Sequence, residues 1–241
     1  MLSGEVTLDQ VTSHPAPANA PALIAVAHGT RDQAGVEEIE RLVELVRRTR
    51  PGVRVRLCWL ELAEPLLRDA LPGVLGPVVV APLLLSTGYH VKIDITAAVG
   101  DRPGTAVARQ LGPDPRITAA VLDRMRLAGP LTDADVALFA SGSRDPEAAA
   151  DLAEVAAQLQ RQTGCRVHPR FLTDERWREG LPEGVQVANY LLAPGYFNDR
   201  LQAHAKTVLG LPRAPEPIGA HPAAAEVILD RYDEAARTLA L

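Results

Sequence analysis

Cysteine and net positive charge are scarce in this chain, and each scarcity excludes a class of protein. Cys58 and Cys165 are the 2 cysteines in 241 residues, and no Cys-x-x-Cys motif is present. The sequence therefore supports neither a disulfide framework nor a cysteine-ligated iron–sulfur cluster, and we expect two buried thiols. The formal net charge of −5 argues against a general binder of nucleic acid or anionic membranes, because affinity for phosphate depends on clustered lysine and arginine.

Long apolar runs are also missing. A helix needs about 20 apolar residues to cross a bilayer, whereas the apolar run at 78–85 has the length of a strand and contains Pro82. Residues 1–20 lack the basic start and apolar core of a secretory signal, and we interpret them as a flexible tail. We therefore expect a protein of the reducing cytoplasm that binds neither membrane nor nucleic acid.

The chain does contain an internal repeat. Residues 23–46 match residues 136–159 at a constant spacing of 113, so A-H-G-T-R-D at 27–32 corresponds to A-S-G-S-R-D at 140–145. Farther along the spacing becomes 107, and it relates Leu122-Asp123-Arg124 to Leu229-Asp230-Arg231. We interpret these two arginines, which lie inside predicted helices, as structural. The repeat predicts a first lobe over 21–130 and a second over 131–241, together in a monomer.

Strand and helix patterns alternate within each copy. Continuous apolar runs predict strands, and apolar residues at helical spacing predict helices. The predicted strands are 23–27, 53–60, 78–85, 136–140, 167–172 and 185–193; the predicted helices are 36–46, 65–71, 91 onward, 117–126, 146–161 and 223–239. This alternation predicts an α/β fold with two parallel open sheets, each with helices on both faces.

Three possible metal ligands follow three consecutive predicted strands of the first copy: His28, Glu61 and His90. Ligands of open α/β sheets bind beyond the carboxyl ends of the strands, so we expect these side chains at one edge. Two imidazoles and a carboxylate suit iron, cobalt or nickel and leave coordination positions open. The second copy has Ser141, Thr173 and Phe197 instead. The sequence therefore predicts one metal site, in the first lobe.

Three segments resemble the class II chelatases of the sirohydrochlorin type, in their long two-module form. They are A-H-G-T-R-D at 27–32, W-L-E-L-A-E-P at 59–65 and A-P-L-L-L-S-T-G-Y-H-V-K-I-D-I at 81–95, and the second half resembles the family as a weaker copy. In this resemblance His28 and His90 match the metal-binding histidines and Glu61 their acidic partner. Thr30 stands where the family often has serine and keeps the hydroxyl.

The resemblance implies a two-lobed lyase with an open cleft between its lobes. Its substrates would be sirohydrochlorin and a divalent metal, in siroheme or cobalamin biosynthesis. We favour Fe²⁺ over Co²⁺ because the chain lacks a histidine-rich tract and a cysteine-ligated cluster motif that would mark specialised metal handling. No permanently bound cofactor is expected.

A tetrapyrrole rich in carboxylates requires donors in the cleft. Arginine and lysine near the strand ends can pair with these carboxylates, or they are solvated surface charges. Gly29 lets backbone N–H groups approach an anion, or it only makes the turn. Tyr89 and Tyr196 recur in both copies, which favours packing near the cleft floor over stacking on the macrocycle. The predicted substrate-binding residues are Gly29, Thr30, Arg31, Tyr89, Lys92, Arg144, Tyr196 and Arg200.

Other functions stay open on the sequence alone. A carrier could bind metal or tetrapyrrole through the same residues without catalysis. A hydrolase using His28 is less well supported, because no G-x-S-x-G elbow is present and S-G-S at 141–143 has no matched base on its own lobe.

Overall fold

The structure, a computed structural model, describes residues 20–88, 90–143, 145–207 and 213–239; for residues 90–92, 206 and 207 it describes the backbone alone. Apart from residue 20, the predicted N-terminal tail therefore lies outside the described residues. Within the described ranges, no helix combines the length and apolarity needed to span a membrane.

Two parallel sheets organise the chain. The first has the order β2-β1-β3-β4 and consists of β1 (Ala22–Ala27), β2 (Val55–Trp59), β3 (Val78–Pro82) and β4 (Thr105–Val107). The second has the order β6-β5-β7 and consists of β5 (Val136–Ala140), β6 (Val167–Phe171) and β7 (Gln186–Tyr190). Every pairing is parallel. The central strands β1 and β5 are buried throughout, which explains why they appear as unbroken apolar runs in the sequence.

Helices connect the strands and cover the sheets. They are α1 (Gln33–Thr49), α2 (Leu67–Ala70), α3 (Thr96–Val99), α4 (Pro115–Ala128), α5 (Pro146–Thr163), α6 (Tyr196–Thr207) and α7 (Pro222–Leu239). A π-helical segment, His90–Ile95, precedes α3. The repeated aspartates Asp32 and Asp145 cap α1 and α5, where each carboxylate accepts a hydrogen bond from the backbone N–H two residues later.

The predicted α/β architecture with two parallel sheets is confirmed, with some differences in its elements. Strand β3 ends at Pro82 rather than at residue 85, and β7 ends at Tyr190 rather than at residue 193. The edge strand β4 and the helix α6 were not predicted. Strand β4 has only three residues, too few for a periodicity to be recognised. Helix α6 has only a short apolar stripe, Phe197, Leu201 and Ala205, among polar residues.

The last helix of each repeat packs on the sheet of the other repeat. Helix α4 contacts β7 and α5, whereas α7 contacts α1, β3 and β4. One hydrophobic core consequently contains residues from both repeats, including Leu23 of β1, Leu138 of β5 and Ile228 of α7. The division into lobes at residue 130 is thus a division of the repeated sequence, and the packing crosses it.

Both cysteines are buried and free, as the sequence suggested. Burial raises the pKa of the Cys58 thiol to about 11, so this side chain stays a neutral thiol near neutral pH.

Candidate metal centre and interlobe cleft

A cleft of about 1320 Å³ lies between the carboxyl ends of the two sheets. Its walls are the loops that follow β1, β3, β5 and β7, so that both repeats contribute to it. This is the edge at which open α/β sheets bind their ligands.

His28 and Glu61 meet at the first-lobe side of this edge. The Nε2 atom of His28 lies 3.3 Å from Oε1 of Glu61, and both side chains are partly exposed to solvent. Their meeting follows from the register of the sheet, which pairs Ala27 with Trp59 and brings the residues beyond the two strands side by side. The backbone N–H of Glu61 also donates to the carbonyl of His28, at 3.1 Å. A carboxylate at this distance can orient the imidazole.

The third predicted ligand, His90, is described through its backbone alone. It begins the π-helical segment that follows β3, the other neighbour of β1 in the sheet. The structure describes neither the side chain of His90 nor any part of Tyr89. Among the side chains that are described, no three histidine, cysteine, aspartate or glutamate residues are grouped closely enough to hold a metal. The three-residue site therefore stays a prediction.

The backbone conformation at position 29 requires glycine. Its φ is +114°, and a Cβ there would lie 1.7 Å from the carbonyl oxygen of Glu61. Gly142 has the same φ in the second repeat, where a Cβ would lie 2.0 Å from Oγ1 of Thr173. Close approach of two loops accounts for the glycine in both copies, with or without a bound anion.

The turn after Glu61 holds Leu62 in a strained conformation. Leu62 has a φ of 64° and is the sole non-glycine residue with positive φ among those described. The N–H of Ala63 donates to the carbonyl of Glu61 at 2.8 Å, which closes a three-residue turn around Leu62. The side chain lines the cleft and is 49% exposed, although exposure of an apolar side chain to water is unfavourable. A strained, exposed apolar residue at a cleft suggests a functional role.

The hydroxyls of Thr30 and Ser143 are repeat equivalents in the loops after β1 and β5. Each accepts a hydrogen bond from the N–H two residues later, at 3.0 Å from Asp32 and 3.1 Å from Asp145. Both residues line the cleft. The repeated hydroxyl was visible in the sequence, and it would have indicated Ser143 as well as Thr30.

Tyr196 stands on the second-lobe wall. We expected packing near the cleft floor, and this interpretation is wrong: Tyr196 is the first residue of α6 and is 71% exposed. Its ring lies 5.2 Å from that of Phe197 in an edge-to-face arrangement, and the cleft is lined by both.

The predicted cationic residues occupy different surroundings. Arg31 is exposed and lines the cleft. Arg200 is not among the cleft-lining residues, and its guanidinium lies 5.5 Å from the centre of the Trp177 ring. Arg144 and the side chain of Lys92 lie outside the described residues.

The fold and this edge define a class of protein: a two-lobed α/β protein with a ligand cleft between its lobes and a His–Glu pair beside it. Comparison with known proteins identifies the family of this chain. The CbiX family model matches residues 22–128 and again residues 135–235, and the chain belongs to this family. The resemblance to sirohydrochlorin-type chelatases is thereby confirmed.

Curated relatives of this chain include both short and long proteins. The sirohydrochlorin ferrochelatase of Bacillus subtilis is 27% identical over 243 residues, which cover 89% of this chain and 92% of that protein. The sirohydrochlorin cobaltochelatase of Methanopyrus kandleri is 26% identical over 135 residues, which cover 44% of this chain and 94% of that protein.

Solved structures extend the likeness to three dimensions. SirB from Bacillus subtilis with Fe³⁺ superposes with a TM-score of 0.74 at 25% identity, over 90% of this chain and 96% of that one. SirB from Bacillus subtilis subspecies spizizenii in complex with cobalt gives a TM-score of 0.76 at 25% identity, over 91% and 96%.

Proposed function

We propose that this chain is a sirohydrochlorin chelatase, a lyase that inserts a divalent metal into the tetrapyrrole. The observation that carries the proposal is the His28–Glu61 contact of 3.3 Å beside a cleft of about 1320 Å³. The cleft exceeds the roughly 300–1,000 Å³ of sites for drug-sized ligands and has room for a macrocycle. The names of the long and short relatives support the same activity.

Metal insertion exchanges one M²⁺ ion for two pyrrole protons. Two N–H bonds break, both protons leave as H⁺, and the metal binds the four ring nitrogens. We propose that His28 and His90 deliver the metal and accept these protons, because a neutral imidazole can do either near pH 7. Glu61 holds the metal, relays the protons or orients His28.

The walls of the cleft suit a large ring that carries carboxylates. Apolar side chains such as Leu62, Leu85 and Tyr196 offer contacts to the faces of the ring. We propose that Arg31 and Thr30 bind peripheral carboxylates. Arg200 joins them only if its guanidinium leaves Trp177. Gly29, Tyr89, Lys92 and Arg144 complete the proposed set.

Fe²⁺ is the metal that we favour. The named ferrochelatase aligns with 89% of this chain, whereas the named cobaltochelatase from Methanopyrus kandleri aligns with 44%. Iron would place the enzyme in siroheme biosynthesis and cobalt in cobalamin biosynthesis. The ligand set admits both metals, because selectivity depends largely on metal supply and site geometry.

We further propose the division of labour between repeats. The first lobe, residues 21–130, carries the chemistry, and the second, residues 131–241, forms the opposing wall within a monomer in the cytoplasm. Ser141 and Phe197, which line the second-lobe wall, replace the histidines there.

The test is an anaerobic assay of sirohydrochlorin consumption with Fe²⁺, Co²⁺ and Ni²⁺ in parallel. A chelatase turns over many equivalents per protein and exceeds the uncatalysed rate. Binding of one equivalent without turnover would identify a carrier instead, and the ratio of the Fe²⁺ and Co²⁺ rates decides the metal.

A further inference from the structure

The loop that leads to His90 is held by hydrogen bonds to residues of both repeats. This loop, residues 83–88, follows β3 and ends two residues before His90. The N–H of Thr87 donates to Oδ2 of Asp151 on α5, at 2.6 Å. The buried hydroxyl of Tyr190, at the end of β7, donates to the carbonyl of Leu85 at 2.9 Å.

The first repeat contributes three hydrogen bonds to the loop. The N–H of Leu83 donates to the carbonyl of Val26 at 2.7 Å, and the N–H of Leu111 donates to the carbonyl of Leu84 at 2.8 Å. The amide of Gln110 donates to Oγ1 of Thr87 at 2.6 Å. A Cβ on Gly112 would lie 2.0 Å from the Tyr190 hydroxyl and 2.3 Å from the Leu85 carbonyl. Gly88 itself lies against Ser143, whose Oγ would be 3.2 Å from a Cβ there. The loop is thus fixed on several sides up to the residue before Tyr89.

The repeat provides a direct comparison for Asp151. Its equivalent, 113 positions earlier, is Glu38 on α1. Glu38 also reaches into the other repeat, but Oε1 accepts from the N–H of Ala220, at 2.6 Å, beyond the end of β7. Both carboxylates are half-buried and tie the repeats together. Only the one on the second lobe binds the loop that carries a proposed metal ligand.

We infer that Asp151 is a positioning residue for metal binding: from the second lobe, it fixes the 83–88 loop and so the point at which the chain enters His90. This inference rests on the proposed function. It assigns the second repeat a role besides that of a wall, because the proposed ligand set is complete only when the repeats are docked. Groups that orient ligands from outside the metal site typically change metal affinity or activity by about 10- to 100-fold when removed.

The experiment compares Asp151→Ala with Glu38→Ala in the full-length chain. Each variant removes one carboxylate that bridges the repeats, so Glu38→Ala controls for lost docking. Both are titrated with Co²⁺ alone, and both are assayed for the KM of metal and the KM of sirohydrochlorin. We expect Asp151→Ala to weaken Co²⁺ binding about 10-fold or more and to raise the KM for metal. We expect Glu38→Ala to bind Co²⁺ like the wild type.

A conservative pair keeps the test decisive if Asp151→Ala folds poorly. Asp151→Asn keeps an oxygen that can accept from Thr87 and should retain most of the metal affinity. Hydrogen exchange of the backbone amides at 83–88 should be faster than in the wild type in Asp151→Ala, and measurably faster in Asp151→Asn if the alanine variant cannot be studied. The exchange rate should be unchanged in Glu38→Gln. Equal Co²⁺ affinity and equal exchange at 83–88 in the Asp151 and Glu38 variants would overturn the inference. A wild-type protein that neither binds Co²⁺ nor consumes sirohydrochlorin would instead overturn the proposed function.

Discussion

Arg124 and Arg231 lie one repeat apart and bind the backbone of the opposite repeat at equivalent positions. Arg124 on α4 donates to the carbonyl of Ile218, at 2.6 Å from Nη2, and Arg231 on α7 donates to the carbonyl of Leu111, at 3.4 Å. Leu111 and Ile218 are themselves 107 positions apart, so the two contacts form a pseudo-twofold pair. Arg231 also lies 2.9 Å from the buried carboxylate of Asp114. Both arginines are structural, as their places in the sequence suggested.

Arg231→Ala should destabilise the fold strongly. Arg231 is 2% exposed, and its loss would leave the Asp114 carboxylate with one fewer buried cation and two carbonyls without this donor. Breaking a buried pair costs about 3–5 kcal/mol, and the remaining Arg116 contact places the expected loss at the lower end. Urea unfolding measures this loss in the free energy of unfolding. Arg126→Ala is the control, because that exposed pair with Asp123 contributes at most about 1 kcal/mol. Equal losses in the two variants would contradict a structural role for Arg231.

His28→Ala and His90→Ala should each lower metal insertion by roughly 100-fold or more with the fold intact. Each change removes a proposed ligand or base. Glu61→Gln should cost less, because it keeps the shape and one acceptor oxygen opposite Nε2 of His28. Initial rates with saturating Fe²⁺ measure the loss of metal insertion. Far-UV circular dichroism checks that the fold is intact. Full turnover in both histidine variants would remove them from the mechanism.

Leu62→Gly separates strain from function. Positive φ costs a leucine about 1–3 kcal/mol and glycine nothing, while glycine adds about 0.5–1 kcal/mol of backbone entropy cost, so stability should hold or rise. The lost side chain should raise the KM for sirohydrochlorin about 10-fold, because burying a leucine contributes about 1.5–3 kcal/mol. Leu75→Ala, an exposed leucine outside the cleft lining, should leave that KM unchanged. A more stable Leu62→Gly enzyme with normal KM would show that the strain serves no substrate contact.

Stability should decrease as the pH falls below about 6.5. His204 is buried against the Trp177 ring, and burial, followed by the charge of Arg178, lowers its pKa below the ordinary value of 6.5. Burial, followed by Arg124, lowers the pKa of His221 as well. In this window the unfolded chain binds protons that the folded chain does not, so acid favours unfolding.

The test is to measure urea midpoints across this pH range for the wild type and for His204→Phe. The substitution should flatten the pH dependence in part, since His221 still contributes. An identical slope in the variant would show that His204 does not titrate as its surroundings indicate.

A chain that ends at Gly129 should not be an active monomer. It loses α7, which covers α1, β3 and β4, and it leaves α4 without β7 and α5. Because α4 and α7 are repeat equivalents, two such fragments can complete each other when α4 of one copy lies on the sheet of the second. Light scattering gives the mass and the insertion assay gives the activity. A monomeric fragment with full activity would contradict both the exchange of helices and the proposed interlobe cleft.

The repeat made residue-level predictions that the structure reproduces. Spacing in the sequence aligned Glu61 with Thr173, and the N–H of each donates at 3.1 Å to the carbonyl of His28 or of Ser141. The central strands β1 and β5, which precede His28 and Ser141, were predictable for a physical reason. A parallel strand buried on both faces must be continuously apolar, and the residue after it must reach the carboxyl edge.

Features that depend on distant packing could not be predicted in the same way. The apolar face of α7 shows that the helix packs against a sheet, but its sequence is equally compatible with either sheet. The stacking of Arg200 on Trp177 depends on a contact between segments that are far apart in the repeat. Leu62 resembles any exposed leucine until its φ is known.

The exchange of terminal helices also sets an order for biosynthesis. Strand β3 leaves the ribosome long before α7, the last helix of the described chain, and synthesis advances at roughly 5–20 residues per second. For many seconds the nascent first sheet therefore lacks the helix that covers β3 and β4. Its apolar face stays uncovered during that interval, so a late stop codon would affect the half of the protein that was translated first.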